Sequence, residues 1–321
     1  MKHHHREASV ALALAALALV LGVAAPGYFS RENLSDLFLA NMPVLVVALG
    51  MTLVILTGEI DISVGSVFAV CGVAAGTLVK WGLPLPLAGP IACLLGAAVG
   101  AVNGALVAYL RIPSIVATLA TMVALRDGLR WITQGAWVQG LPPSFQWFGL
   151  TQTAYPIVVG VAAATLLTAI AGAMRHLAAG RAIYATGSNQ DAARLAGFDT
   201  AFVKFSVFAL IGGLTGLAAL LNSVRFNQIP GNAGLGLEMK VIASVVVGGA
   251  AISGGKGSIL GTVLGVLLLG AIGPALTFLG VSAYWERALQ GAIILAAVAM
   301  DAVRRTGTGV RAGSDPRLTP V

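Results

Sequence analysis

Charge is what this sequence has least of. Only 10% of its 321 residues are Asp, Glu, Lys or Arg, whereas a soluble domain carries about 25%. A chain with so few charges cannot cover a water-facing surface. Carboxylates are scarcer still, with 12 Asp and Glu against 19 Lys and Arg. Metal and disulfide chemistry is thinly provided for. The two cysteines, Cys71 and Cys93, sit in apolar runs without metal-ligand spacing and read as packing residues. His3, His4 and His5 sit together near the start and take no role. What is abundant is apolar: 58% of the chain is hydrophobic, with 41 glycines besides. Continuous runs of about 20 apolar residues recur along the sequence, each long enough to cross about 30 Å of hydrocarbon. The runs do not alternate, which excludes a membrane β-barrel. The fold class expected is an all-α polytopic membrane protein.

Ten spans are expected, at roughly 9–25, 38–57, 62–80, 87–109, 113–133, 155–174, 204–223, 238–253, 258–279 and 285–303. They form one permease domain over 9–303, preceded by a short cytoplasmic stretch (1–8) and followed by a basic tail (304–321). Orientation follows from Lys/Arg asymmetry. With the N-terminus inside, twelve basic residues fall inside: Lys2, Arg6, Arg111, Arg175, Arg181, Arg194, Lys204, Lys256, Arg304, Arg305, Arg311 and Arg317. Five fall outside: Arg31, Lys80, Arg225, Lys240 and Arg287. Both termini are therefore expected in the cytoplasm. The net charge of +7 reads as this loop bias and not as nucleic-acid binding. Residues 1–25 have the basic start of a signal peptide, but their apolar core exceeds the usual length, so an uncleaved helix is expected.

The connecting segments differ in kind. Segment 175–203 is polar and predicts a short soluble helix over 190–195, capped by Asn189 or Ser188 and stopped by Gly197. It is either a solvated connector or a docking element. Segments 134–154 and 224–237 read as structured loops on the outer side. The first is rich in aromatics (Trp137, Phe145, Trp147, Phe148), and the second is broken by Pro230 and glycines. Arg225, Asn227 and Lys240 are candidate contacts there for an external partner.

No catalytic constellation emerges. Glu59 and Asp61 stand two apart in a turn with no substrate pocket nearby, and the turn has too few oxygens for a divalent cation. Asp61 or Ser63 is expected to cap the following helix. That leaves Glu59 as either a solvated acid or a contact for a partner. The stretch GGKGS (254–258) fails as a phosphate loop: Ala250 replaces the first glycine and Gly257 the final Ser/Thr. In the fifth span, Asp127 and Arg130 are spaced to pair, with Arg126 beside them. Asn103, Thr118, Thr121 and Asp127 are candidates for a substrate path, although polar glue between helices is the commoner use of such residues. Gly96–Gly100, Gly212–Gly216 and Gly261–Gly265 have the spacing of close helix packing.

Four stretches together resemble one family. ALGMTLVILTGEIDISVGS (48–66) resembles the signature of the sugar permeases of bacterial ABC importers, the ribose/arabinose/xylose/rhamnose type, in which Gly-Gly-Ile-Asp-Leu-Ser-Val-Gly-Ser is usual. NGALVAYLRIPSIVATLATM (103–122), YATGSNQDAARLAGFD (184–199) and GGAAISGGKGSILGTVLG (248–265) are similar to later parts of the same family. The resemblance makes Asp61, Ser63 and Gly65 a shared signature turn. It also implies that Asn189, Asp191, Ala192, Ala193, Arg194 and Gly197 form the helix that couples to an ATPase subunit. Here Asp191 replaces the family's usual Glu, and Glu59 replaces its usual Gly.

The resemblance implies a monosaccharide importer (ribose-, rhamnose- or autoinducer-2-like) in the bacterial inner membrane. Its partners would be an ABC ATPase subunit, a periplasmic sugar-binding protein, and a second permease copy or a paralogue. This chain would need no cofactor, since ATP and Mg are used by the ATPase subunit. Two alternatives stay open: a branched-chain amino-acid permease of related architecture, and a secondary transporter. The few acids in the spans argue against the latter.

Overall fold

The computed structural model describes residues 2–282, 284–293, 295 and 296. Among the described residues the structure is helical, with no named strand. Eleven α-helices are defined: α1 (Lys2–Ala24), α2 (Arg31–Leu56), α3 (Val64–Lys80), α4 (Leu85–Ala108), α5 (Ser114–Thr133), α6 (Ala154–His176), α7 (Ala178–Ser188), α8 (Gln190–Leu195), α9 (Thr200–Ser223), α10 (Leu237–Val247) and α11 (Ile259–Phe278). Residues 285–293 are also helical. The rest of the expected tenth span and the basic tail lie outside the described residues. Among the described residues six helices, α1, α2, α4, α6, α9 and α11, are long and apolar enough to cross a membrane.

Helix α2 is the axis of the bundle. Every residue from Asn41 to Leu56 is buried. It packs against α9, α10 and α11, and α4 covers α9 on the other side. The α4–α9 seam explains the glycine spacing. A Cβ on Gly100 would collide with the carbonyl of Phe208, and one on Gly212 with that of Gly96. Backbones this close gain dispersion contacts along their whole length, the main attraction between helices in lipid. Gly265 of α11 meets Ser244 of α10, and Gly261 meets Gly248 just after α10, in the same way.

Helix α10 begins away from the ends of the bundle. Segment 224–236, expected as an outer loop, follows α3 from Gly76, which meets Ile229, back to Gly65, which meets Gly234. Only then does α10 begin. It has 11 residues, about 16 Å at 1.5 Å per residue, so the expected span 238–253 is a partial crossing. Segment 224–236 is bound to the other aromatic loop by paired backbone hydrogen bonds between Val138 and Ile229, each 3.0 Å, and by Trp147 N donating to Val224 O at 2.7 Å. The two outer segments read separately in the sequence thus form one cover.

Candidate functional site

At the opposite end of the bundle, α7, α8, the turn 57–63 and the loop 248–258 converge. Helix α8 occupies the residues the sequence predicts. Asn189 is its cap, with Oδ1 accepting from the N–H groups of Asp191 and Ala192, both at 3.0 Å. Gly197 stops it with φ +86°, a left-handed conformation that glycine adopts without strain. The Asp191 side chain is 92% exposed, while Ala193 is buried against the body. Arg194 faces both ways: its Nε donates to Thr200 Oγ1 on α9 at 3.0 Å, and Nη1 lies 4.0 Å from Asp191. The helix therefore has an anchored face and a free one.

Helix α7, absent from the sequence reading, fastens this unit to the bundle. Tyr184 Oη donates to Gly257 O at 2.9 Å, and burial raises its hydroxyl above the usual tyrosine value, keeping the proton on. Gly187 lies directly on the carbonyl of Leu56, the last residue of α2, where a side chain would not fit. Gly255 N also donates to that carbonyl, at 2.9 Å. The end of α2 is thus capped by Gly255, 199 residues away in sequence.

Glu59 is neither a solvated acid nor free for a partner. Its Oε1 accepts from Lys204 Nζ on α9 at 2.6 Å, and the two side chains are only 15% and 13% exposed. Lys204 Nζ also donates to Gln190 Oε1 on α8 at 3.1 Å. One ammonium therefore ties the 57–63 turn to α8. A pair this enclosed lies between an exposed ion pair, worth about 1 kcal/mol or less, and a buried one whose breaking costs about 3–5 kcal/mol. Sequence spacing cannot reveal a partner 145 residues away. The one signal was that Glu59 departs from the family's glycine.

Asp61 and Ser63 do something other than capping. Ser63 is the N-cap of α3 but makes no side-chain cap bond. Asp61, 2% exposed, accepts from both Ser63 N (2.8 Å) and Ser63 Oγ (2.6 Å). Asn103 Nδ2 on α4 donates to the same Ser63 Oγ at 2.9 Å, and Thr121 Oγ1 on α5 donates to Asn103 Oδ1 at 2.6 Å. The backbone joins in: Ile60 N donates to Ser114 Oγ at 3.3 Å and Ile62 N to Thr118 Oγ1 at 3.1 Å. The physical reason is that segment 58–63 is non-helical inside an apolar bundle. Its amides need partners from neighbouring helices, and α4 and α5 supply them.

Three of the four substrate-path candidates, Asn103, Thr118 and Thr121, therefore meet in one polar ladder, with Asn103 and Thr118 fully buried. Asp127 does not join them. It points out beside Arg130, 3.9 Å away, with 69% exposure. Its neighbour Arg126 faces inward, with Nε donating to Ser66 Oγ at 3.2 Å. At the far end, Arg225 lies over the Phe226 ring, 5.5 Å from its centroid. Asn227 is exposed, and Lys240 is 3.7 Å from Glu286. Cys71 and Cys93 are both free thiols.

The sequence matches known proteins along most of its length. It is 37% identical to the autoinducer 2 import system permease protein LsrC of Salmonella typhi over 303 residues, covering 93% of this chain and 86% of that protein. The LsrC of Escherichia coli strain K12 is likewise 37% identical, over 93% of this chain and 87% of its own length. No solved structure matches. The profile of one family matches residues 33–298, which holds the whole polar ladder and the α7–α8 unit. The chain belongs to the family of permease components described as the branched-chain amino acid transport system / permease component, and is a membrane permease subunit rather than an enzyme.

Proposed function

We propose that this chain is the membrane subunit of an ATP-driven importer in the bacterial inner membrane. Its solute is a small hydroxylated molecule of the monosaccharide or autoinducer 2 class, delivered by a periplasmic binding protein. The chain crosses the membrane about ten times with both termini in the cytoplasm. It pairs with a second copy or a paralogue, and α8 docks into an ATPase subunit that binds ATP and Mg.

One observation carries the coupling role. Helix α8 keeps its Asp191 face exposed while Gln190 anchors it through Lys204 to Glu59, in the turn that continues into the buried ladder. Movement imposed on α8 is transmitted to the 57–63 turn and α9 together, because one ammonium holds all three. This is a lever that a packed interface can drive between two arrangements. The likeness to the autoinducer 2 import permeases supports the solute class.

The reading is tested in proteoliposomes holding the chain with its ATPase and binding protein. Uptake should require both partners; uptake by this chain alone, driven by an ion gradient, would refute it. Asp191→Lys should abolish transport-coupled ATP hydrolysis with the helical fold intact by circular dichroism. Unchanged coupling would remove α8 from the docking surface. The family description favours a second reading, a branched-chain amino acid as solute. Import of labelled L-leucine in place of sugar would select it.

A further inference from the structure

Two opposite charges meet unpaired inside the bundle. Glu238 comes from the first turn of α10 and Arg126 from α5. Both reach the space beside Gly65, at the start of α3. A Cβ on Gly65 would collide with Glu238 Oε2 and lie 3.2 Å from Arg126 Nη2. Both of those atoms are buried, and neither has a hydrogen-bond partner. Unsatisfied charged atoms within an apolar bundle are costly, and such residues mark solute and ion pathways. Other polar groups in this part of the fold are satisfied: Ser66 Oγ donates to Met122 O and accepts from Arg126 Nε. Glu238 also forms part of the wall of a cavity of about 920 Å³, together with Lys240, Glu286, Arg287, Gln290 and Ser282. Segment 224–236, which runs along α3 and carries Glu238 to Gly65, is the break after which α10 starts partway along the bundle. Broken helices of this kind form solute sites in membrane transporters.

We propose that Arg126 and Glu238 form the intramembrane binding position for a neutral solute with adjacent hydroxyls. A hydroxyl both donates and accepts. One hydroxyl of the solute donates to the Glu238 carboxylate, and its neighbour accepts from the Arg126 guanidinium. The pair sums to zero charge, so an anion would meet Glu238 and a cation Arg126, and neither is favoured. Gly65 of the signature turn is required because its missing side chain is the space into which both groups reach. The inference rests on the proposed function and adds to it the residues that hold the solute.

The test uses the complete transporter in proteoliposomes, with labelled autoinducer 2 and D-ribose as probes. Wild-type uptake of either probe, dependent on ATPase and binding protein, is the first arm. Import of neither probe overturns the functional reading and this inference with it. Import of L-leucine instead overturns the hydroxylated-solute assignment. Given wild-type import, Glu238→Gln keeps size and an acceptor but loses the charge. Uptake should fall about tenfold or more, the loss of one charge-assisted hydrogen bond. Binding-protein-stimulated ATP hydrolysis should continue, because the tether bonds join Glu59, Lys204 and Gln190 and include neither Arg126 nor Glu238. Unchanged uptake, or uptake and hydrolysis lost together in a monodisperse complex, would overturn the assignment alone. If Glu238→Gln does not assemble, Arg126→Lys decides: it keeps the charge but loses the guanidinium fork, and the same split between uptake and hydrolysis is expected.

Discussion

The two reversing segments at the α8 end, 57–63 and 248–258, echo each other in sequence, TGEIDISVGS against GAAISGGKGS, yet they are held by opposite means. The first is held by side chains. Ser114, Thr118, Asn103, Asp61 and Lys204 supply its hydrogen bonds from three other helices and the turn itself. The second is held mainly by backbone, with Tyr184 Oη donating to Gly257 O from α7. Ala251 N donates to Lys256 O at 2.8 Å, Gly254 N to Ala251 O at 2.9 Å, and Gly255 N to Leu56 O at 2.9 Å. Its glycines allow α7 and α2 to lie against it. A segment held by side chains can exchange partners when helices shift. A segment held by backbone contact at this distance has one arrangement. The first is suited to move and the second to serve as the fixed point it moves against.

The sharpest way to break that contrast is Gly255→Val. Gly255 has φ +69° and its Cβ would strike Ser188, so strain and a clash act together. A loss of about 4 kcal/mol or more is expected, seen as failure to yield a monodisperse complex. Next is Asp61→Ala in the side-chain-held segment. It leaves Ser63 N and Oγ without their acceptor in a buried site, costing about 2–3 kcal/mol, measurable as a lower midpoint of thermal unfolding. Asp61→Asn keeps an acceptor oxygen and should cost less.

Glu59→Lys faces Lys204 with a like charge. It should uncouple ATP hydrolysis from uptake, and the exchange Glu59→Lys with Lys204→Glu should restore much of the coupling; a double exchange no better than either single change would separate the pair from the lever. The smallest effect is expected from Ser258→Ala. Ser258 Oγ accepts from Gly261 N at 2.9 Å as the cap of α11 and donates to Glu7 Oε1, and losing both bonds costs about 1–2 kcal/mol. Ser63→Ala, at the corresponding start of α3, removes no cap bond and should act only through Asp61 and Asn103. Equal shifts with Asn103→Ala in the background would show the two serines to be alike.

Much of this was legible in one dimension. The spans were legible because apolar length is a local property. Helix α8 was legible because a cap residue and a stopping glycine are local signals too. The glycine pairs of α4 and α9 were legible as spacing, though not as partners of each other. Glu59 was not, since its meaning lies in Lys204. Arg126 and Asp127 are adjacent, and the sequence put Asp127 rather than Arg126 among the substrate-path candidates, whereas the structure turns Asp127 outward and Arg126 inward. The 100° step of the helix turns one into the bundle and the other out of it. The 224–237 loop was legible as irregular, but its course along α3 was not.

The sequence by itself determined that this chain is a helical membrane protein of the permease family, because hydrocarbon demands long apolar helices and those are written residue by residue. It also determined where one short helix breaks that rule. The tertiary structure decided which polar groups meet. Asp61 with Ser63 and Asn103, Lys204 between Glu59 and Gln190, and Arg126 facing Glu238 across Gly65 are matters of distance. In an apolar interior a polar atom needs a partner, and the fold, not the local sequence, brings that partner within reach.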